Sequence, residues 1–296
     1  MEKIFYFGNE QLAQGIKQTG APIFEALIAS GYKISALILS SKNPRRELAI
    51  EKIAKAQGIA IYYDLSRAKI LELIKVQQPA VGILAAYGKL IPEQIIEAFP
   101  HKILNIHPSR LPKYRGTTPI ETAIMSGDTE TAVSIMQLSP KMDAGDIYAQ
   151  RPIKIMADDD KQSLYEKIAK ISAQTLMQIL PDYLVGTAKG VRQNDAEATF
   201  TQKLSKADGE LKPQQESASS LLNKIRAFGG FPKPRIKFNG QDFIVKKAHV
   251  GLRATSALDQ LCADGKYLVI DEVIPPNAKV MSPKAYLNGL KNRSLK

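Results

Sequence analysis

Asn105, His107 and Asp143 are an amide, an imidazole and a carboxylate. Those three groups suffice to move a one-carbon acyl group onto an amine. The amide can donate a hydrogen bond to a developing oxyanion. The imidazole can donate as well, or shuttle a proton. The carboxylate can orient the imidazole and take the proton that the amine loses. Asn105 and His107 are two residues apart, so on an extended strand they point to the same side. Asp143 follows His107 by 36 residues, which leaves room for a loop, a helix and a strand that bring it back.

The elements that must position these groups can be read from the apolar pattern. Lys3–Phe7 reads as a strand, Pro22–Ala29 as a helix closed by Gly31, and Lys33–Leu39 as a strand. Arg46–Gln57 reads as a helix ended by Gly58, Ile59–Tyr63 as a strand, Arg67–Val76 as a helix and Val81–Ala86 as a strand. Pro92 marks a helix start, and Ile103–Ile106 is another strand. Short apolar strands alternating with helices imply an α/β, doubly wound, Rossmann-like parallel sheet. Ligands of such sheets bind beyond the carboxyl ends of the strands, where Ala85–Gly88 and His107–Ser109 lie. Gln162–Leu184 reads as a long amphipathic helix and Val185–Ala207 as a polar connection. Ser217–Phe228 is a helix. Arg235–Phe238, Phe243–Ala248, Tyr267–Val273 and Lys279–Met281 read as short strands, a pattern that suits a small β-barrel.

Charge divides the chain in the same place. Residues 1–200 carry 24 Lys+Arg against 21 Asp+Glu, a net of +3. Residues 201–296 carry 17 against 8, a net of +9. A basic second unit beside a near-neutral first one points to a polyanion partner. The single cysteine, Cys262, excludes an internal disulfide framework and fits a reducing compartment. No apolar run approaches bilayer length and the start does not read as a signal peptide, so a cytoplasmic address is expected. Gly8 is followed by Asn9-Glu10-Gln11 rather than a G-x-G-x-x-G turn, which argues against a dinucleotide. No His/Cys/Asp cluster has metal spacing, and His101, His249 and Cys262 stand without partner wording.

The stretches N-I-H-P-S-R-L-P-K-Y-R-G-T-T-P-I (Asn105–Ile120), G-D-T-E-T-A-V-S-I-M-Q-L (Gly127–Leu138) and M-D-A-G-D-I (Met142–Ile147) resemble the formyltransferases that use 10-formyltetrahydrofolate. Within that family the wording is nearest to the methionyl-tRNA formyltransferases. The resemblance implies Asn105, His107 and Asp143 as the catalytic set. It implies a folate site formed by Ala85, Ala86, Tyr87 and Gly88 together with Ser109, Arg110, Leu111 and Pro112, no metal, and an OB-like C-terminal domain. The expected division is a catalytic domain over 1–185, a linker over 186–205 and a tRNA-binding domain over 206–296. The implied partners are initiator Met-tRNA and the folate donor, and a monomer is expected.

The sequence departs from the family wording twice. Arg110 stands where the family loop usually carries Leu. The long basic insertion that reaches toward the tRNA acceptor end is short here, Ser40–Arg46, keeping Lys42, Arg45 and Arg46 as candidate tRNA contacts. Two rivals remain open at this stage. One is a sugar-nucleotide N-formyltransferase, which the charge of the second unit disfavours. The other is a non-enzymatic RNA-binding module, which the Asn-His-Asp set disfavours.

Overall fold

The computed structural model describes residues 2–43, 46–276 and 278–294. The first unit runs β1 (Lys3–Phe7), α1 (Pro22–Ala29), β2 (Lys33–Leu39), α2 (Ala49–Ala56), β3 (Ile61–Tyr63), α3 (Arg67–Gln77), β4 (Val81–Leu84), α4 (Glu93–Glu97), β5 (Ile103–His107), α5 (Pro119–Met125), β6 (Glu130–Gln137), β7 (Ile147–Lys154) and α6 (Lys161–Leu184). Its seven strands lie in the order β3-β2-β1-β4-β5-β6-β7. The first five are parallel to their neighbours, as expected, but β6 runs antiparallel to β5 and β7 antiparallel to β6. For β7 the reason is length. A parallel return needs a crossover of a dozen or more residues, and the β6–β7 connection, residues 138–146, is shorter than that. The β5–β6 connection, residues 108–129, is long enough for either direction and does not decide it.

Central β5 is buried on both faces. Leu104 and Ile106 join the core under α1, α5 and α6, with Phe24, Ile120, Leu164 and Ile168. Ile103 joins the opposite core, with Phe5, Phe7, Ile70 and Phe99. The two-residue period therefore sends Asn105 and His107 to the same side as Ile103.

The second unit runs α7 (Ala218–Ala227), β8 (Arg235–Phe238), β9 (Gln241–Gly251), β10 (Gln260–Leu261), β11 (Tyr267–Ile274) and α8 (Pro283–Ser294). Its strands form an antiparallel sheet in the order β10-β11-β9-β8, consistent with an OB-like domain. The strand expected at Lys279–Met281 reduces to one bridge, Met281 to Val273. Pro283 opens α8 two residues later, and a proline cannot extend a ladder. The N-terminus of α2 is also later than expected: it starts at Ala49 rather than Arg46. The Glu51 carboxylate accepts the Leu48 N–H at 2.6 Å and sets that start.

Buried charge ties the β1–α1 loop to the rest. The Lys161 ammonium, 1% exposed, donates to the Gln14 and Phe231 carbonyls at 2.6 and 2.7 Å and lies 3.6 Å from the buried Glu121 carboxylate. One charge thus joins that loop, α6 and the second unit. Arg226 of α7 adds bonds to the carbonyls of Met156, Ala157 and Asp159. Glu10 is fully buried. It accepts from the Tyr6 hydroxyl and from the Ile23 and Phe24 amides, so its carboxyl fills the N-terminus of α1. Burial outweighs those donors and pushes the Glu10 carboxyl up to about 7.

The folded chain therefore holds this proton more tightly than the unfolded chain, where a glutamate titrates near 4.3. Its contribution to stability is greatest below about pH 4 and is lost as pH rises through about 7. The variant Glu10→Gln should remove that dependence. The wild-type-minus-variant difference in unfolding free energy should fall by about 2 kcal/mol between about pH 5 and 8. Urea unfolding across that range measures it. A pH-independent difference would show that Glu10 takes up no proton on folding.

Candidate active site

The three side chains singled out by type and spacing meet. Asn105 and His107 project from the end of β5. Asp143 comes from the β6–β7 loop, which folds back over the strand ends. The Asn105 Nδ2 donates to Asp143 Oδ1 at 3.4 Å. His107 Nδ1 lies 3.6 Å from Asp143 Oδ2. Asn105 and His107 are 6% and 4% exposed, so both work in a site largely shielded from water.

Backbone groups complete the geometry. The Gly116 N–H donates to Asp143 Oδ2 at 2.7 Å. His107 Nε2 is 2.9 Å from the Tyr114 carbonyl. A carbonyl only accepts, so Nε2 carries the hydrogen. Nδ1 is then the imidazole atom that faces Asp143. One N–H of the Asn105 amide is left over for an oxyanion. Gly116 (φ +115°) has no room for a side chain, since a Cβ would meet Thr201 Oγ1 at 2.5 Å. Gly145 is tighter still: a Cβ there would meet the Gln137 carbonyl oxygen at 1.7 Å.

A formyl transferase family model matches residues 37–180, and a formyl transferase C-terminal domain model matches residues 203–291. A methionyl-tRNA formyltransferase of Latilactobacillus sakei is 32% identical, over 93% of each chain. The chain belongs to the formyl transferase family. Its activity is accordingly transfer of a formyl group, with a folate as donor. Solved structures share the fold as well. HypX from Aquifex aeolicus, in complex with tetrahydrofolic acid, has a TM-score of 0.66 at 18% identity; the match covers 97% of this chain, which spans about half (47%) of that one. Methionyl-tRNA formyltransferase from Clostridium thermocellum has a TM-score of 0.59 at 17% identity, covering 95% of this chain and 99% of that one.

The residues expected around the folate of this formyl transferase fall into two groups. Ala85–Gly88 follow β4, whose Leu84 pairs with Asn105, so they lie one strand from the catalytic candidates. Ala86 (φ +55°) and Gly88 (φ +76°) bend the chain there. Tyr87 is buried and packs edge-on against Phe7 at 5.6 Å, anchoring that bend. The Tyr87 ring therefore belongs to the core. In the second group, Ser109 and Leu111 are buried. Ser109 Oγ donates to the Lys113 carbonyl at 2.6 Å. Arg110 turns outward and pairs with Glu130, which explains how Arg stands where Leu is usual.

The candidate tRNA contacts sit at the far edge of the sheet. Lys42 lies over the Tyr63 ring at 5.7 Å, and Arg46 reaches the Gln18 carbonyl at 3.4 Å. Both border a groove of about 640 Å3 with Glu47, Lys55 and Tyr63. Arg45 lies outside the described residues. Arg46 precedes α2 rather than decorating its first turn, so the helix dipole gives no account of it. Among the described residues no group of three His, Cys, Asp or Glu side chains has metal-binding geometry. No described helix is long and apolar enough to cross a membrane.

Sequence reasoning missed the groups that hold this site together. Ser134 lies opposite His107 on β6 and donates to the Ser109 carbonyl at 2.7 Å. Gln150 donates to the Leu111 carbonyl at 3.0 Å and to Ser134 Oγ at 2.9 Å. Gln193, far along the connection, donates to the carbonyls of Asp143 and Gly145. The only available signal was the Tyr114-Arg115-Gly116 wording, and it does not say that two of those residues act through their main chain. Because Arg110 is half exposed and its pair is solvated, Arg110→Leu should change stability by less than about 1 kcal/mol. Turnover should stay within about threefold. Thermal unfolding and a formyl-transfer assay check both, and a large loss of turnover would put the Arg110 side chain in the site.

Proposed function

We propose that this chain transfers formyl from 10-formyltetrahydrofolate to the α-amino group of methionine esterified to initiator tRNA, as a monomer in the cytoplasm. The observation that carries the reading is the convergence of Asn105, His107 and Asp143 on one buried spot. The amine attacks the formyl carbon, and the carbonyl oxygen gains negative charge. Asn105 Nδ2–H and a protonated His107 Nδ1 donate to that oxygen. The nitrogen that attacked must lose a proton, and Asp143 accepts it. The folate nitrogen must gain a proton to leave, and His107 Nδ1 supplies it. A free α-amino group titrates near 8 and the ester lowers it further, so the neutral nucleophile is available near neutral pH. Positioning therefore matters more than activation.

The folate donor would sit against the bent main chain of Ala85–Gly88 and the loop Ser109–Pro112, at the ends of β4 and β5. Residues 1–185 would do the chemistry, 186–205 would connect, and 206–296 would bind tRNA. Support for tRNA comes from the charge of residues 201–296 and from the relatives' common activity. A nucleotide sugar would not need so basic a second unit.

Replacement of Asn105, His107 or Asp143 by Ala should lower kcat on the order of 10²-fold or more, with little change in folding. Double replacements should cost far less than the product of the singles. Labelled formyl transfer to Met-tRNA, with a nucleotide amino-sugar as competing acceptor, tests residues and substrate together. Near-normal turnover in His107→Ala would remove the assignment, and preference for the amino-sugar would remove the tRNA reading.

The affinity for tRNA should fall as salt rises, because phosphate contacts release counterions. Replacing Lys42, Arg45 and Arg46 together by Ser should reduce that salt slope by about 2–3 and raise KM for Met-tRNA. An unchanged slope would make the 40–46 loop a surface turn.

A further inference from the structure

We propose that the segment between the two domains is part of the active site, with Gln193, clamped by Arg115, as the positioning residue for Asp143. The proposal rests on the reading that Asp143 serves formyl transfer. Asp143 has a backbone φ of +48°. Asp enters that region more readily than most side chains, though it remains uncommon outside glycine and is kept by local hydrogen bonds. Gln193 anchors that turn here. Its Nε2 donates to the Asp143 and Gly145 carbonyls, both at 2.8 Å. Its Oε1 accepts from Arg115 Nε and Nη2 at 3.1 and 2.8 Å. Both amide hydrogens and the amide oxygen are therefore committed, and the amide cannot flip without losing all four bonds. Arg115 is 4% exposed and is itself paired with Asp195 at 2.8 Å. Two residues of the connecting segment, Gln193 and Asp195, thus close on one arginine of the catalytic unit.

The same segment holds the other side of the site. Val191 exchanges both backbone bonds with Ile147, each at 2.9 Å. Further on, the Arg115 N–H donates to the Thr199 carbonyl and the Thr201 N–H to the Arg115 carbonyl, both at 2.8 Å. Thr199 Oγ1 accepts the Tyr114 N–H, and Thr118 Oγ1 donates to the Gln202 carbonyl. The stretch Tyr114–Gly116 is therefore stitched to residues 199–201. That stretch supplies the carbonyl that fixes His107 Nε2 and the N–H that fixes Asp143 Oδ2. Among the described residues the side-chain hydrogen bonds of His107 and Asp143 do not go to the connecting segment directly, yet each goes to a group that the segment holds. Polar composition alone reads as a solvated tether; the hydrogen bonds make residues 191–202 a wall of the site.

The experiment uses the full-length protein and Met-tRNA. Gln193→Glu keeps the size and the acceptor for Arg115 but sets an oxygen against two carbonyl oxygens. Gln193→Met keeps volume and removes every bond. Both should lower kcat about 10–100-fold, since displacement of a catalytic group by about an ångström costs that much. KM for Met-tRNA and for the folate should stay within about threefold. In the Asp143→Ala background Gln193→Met should cost almost nothing more, because its effect passes through Asp143. A merely structural role would instead lower the active fraction alike in both backgrounds. If Asp143→Ala is impaired while Gln193→Glu and Gln193→Met turn over normally, the positioning proposal fails and the active-site reading stands. If Asp143→Ala itself turns over normally, the active-site reading fails. If Gln193→Met does not fold, Gln193→Glu decides, and normal turnover there overturns the proposal.

Discussion

Bringing one carboxylate from the β6–β7 loop back to β5 is the constraint around which this molecule is organised. Asp143 cannot reach β5 along the sheet, because β6 carries the chain away from the His107 end. The β6–β7 loop must fold back over the strand ends instead, and it does so with Asp143 at φ +48°. A tight closure at Gly145, under the Gln137 carbonyl, makes the return possible. The Gly116 N–H then receives the carboxylate at 2.7 Å. Each of these conditions is local, but they are satisfied together only when four separated stretches of chain are packed.

The direction of the chemistry follows from the imidazole. With Nε2 held by the Tyr114 carbonyl, a single ring atom remains for work, and it faces Asp143. The amide of Asn105 leans on the other oxygen of the same carboxylate. In the proposed reaction these three groups would serve as donor, proton carrier and acceptor. In a site this buried their mutual interactions are stronger than they would be in water.

Rigidity of that set extends into the rest of the fold. β5 is clamped between two cores, so the strand that carries Asn105 and His107 has no freedom to shift register. The buried Lys161 charge bonds at once to the β1–α1 loop and to the second unit. Breaking such a pair leaves a charge without a partner in low dielectric, which costs several kcal/mol. The two units are consequently coupled through specific polar bonds.

Much of this protein was legible in its residues. The strands β1, β2, β4 and β5 follow from continuous apolar runs, and α1, α3 and α6 from helical spacing, because those patterns depend on near neighbours. The common direction of Asn105 and His107 follows from the period of a strand. The charge step near residue 200 marks the basic unit without any fold at all. Strand direction beyond β5 was not legible: the chain joining β5 to β6 is long enough for either direction, and only the short β6–β7 connection forces a reversal. The late start of α2 depends on Glu51 reaching back to Leu48, and the outward turn of Arg110 on Glu130 across the sheet edge. The bonds of Gln193 to the Asp143 loop and of Tyr114 to His107 link main-chain groups to residues distant in sequence or hidden within a loop. A backbone carbonyl carries no residue identity, so only the tertiary structure could decide which one a side chain finds.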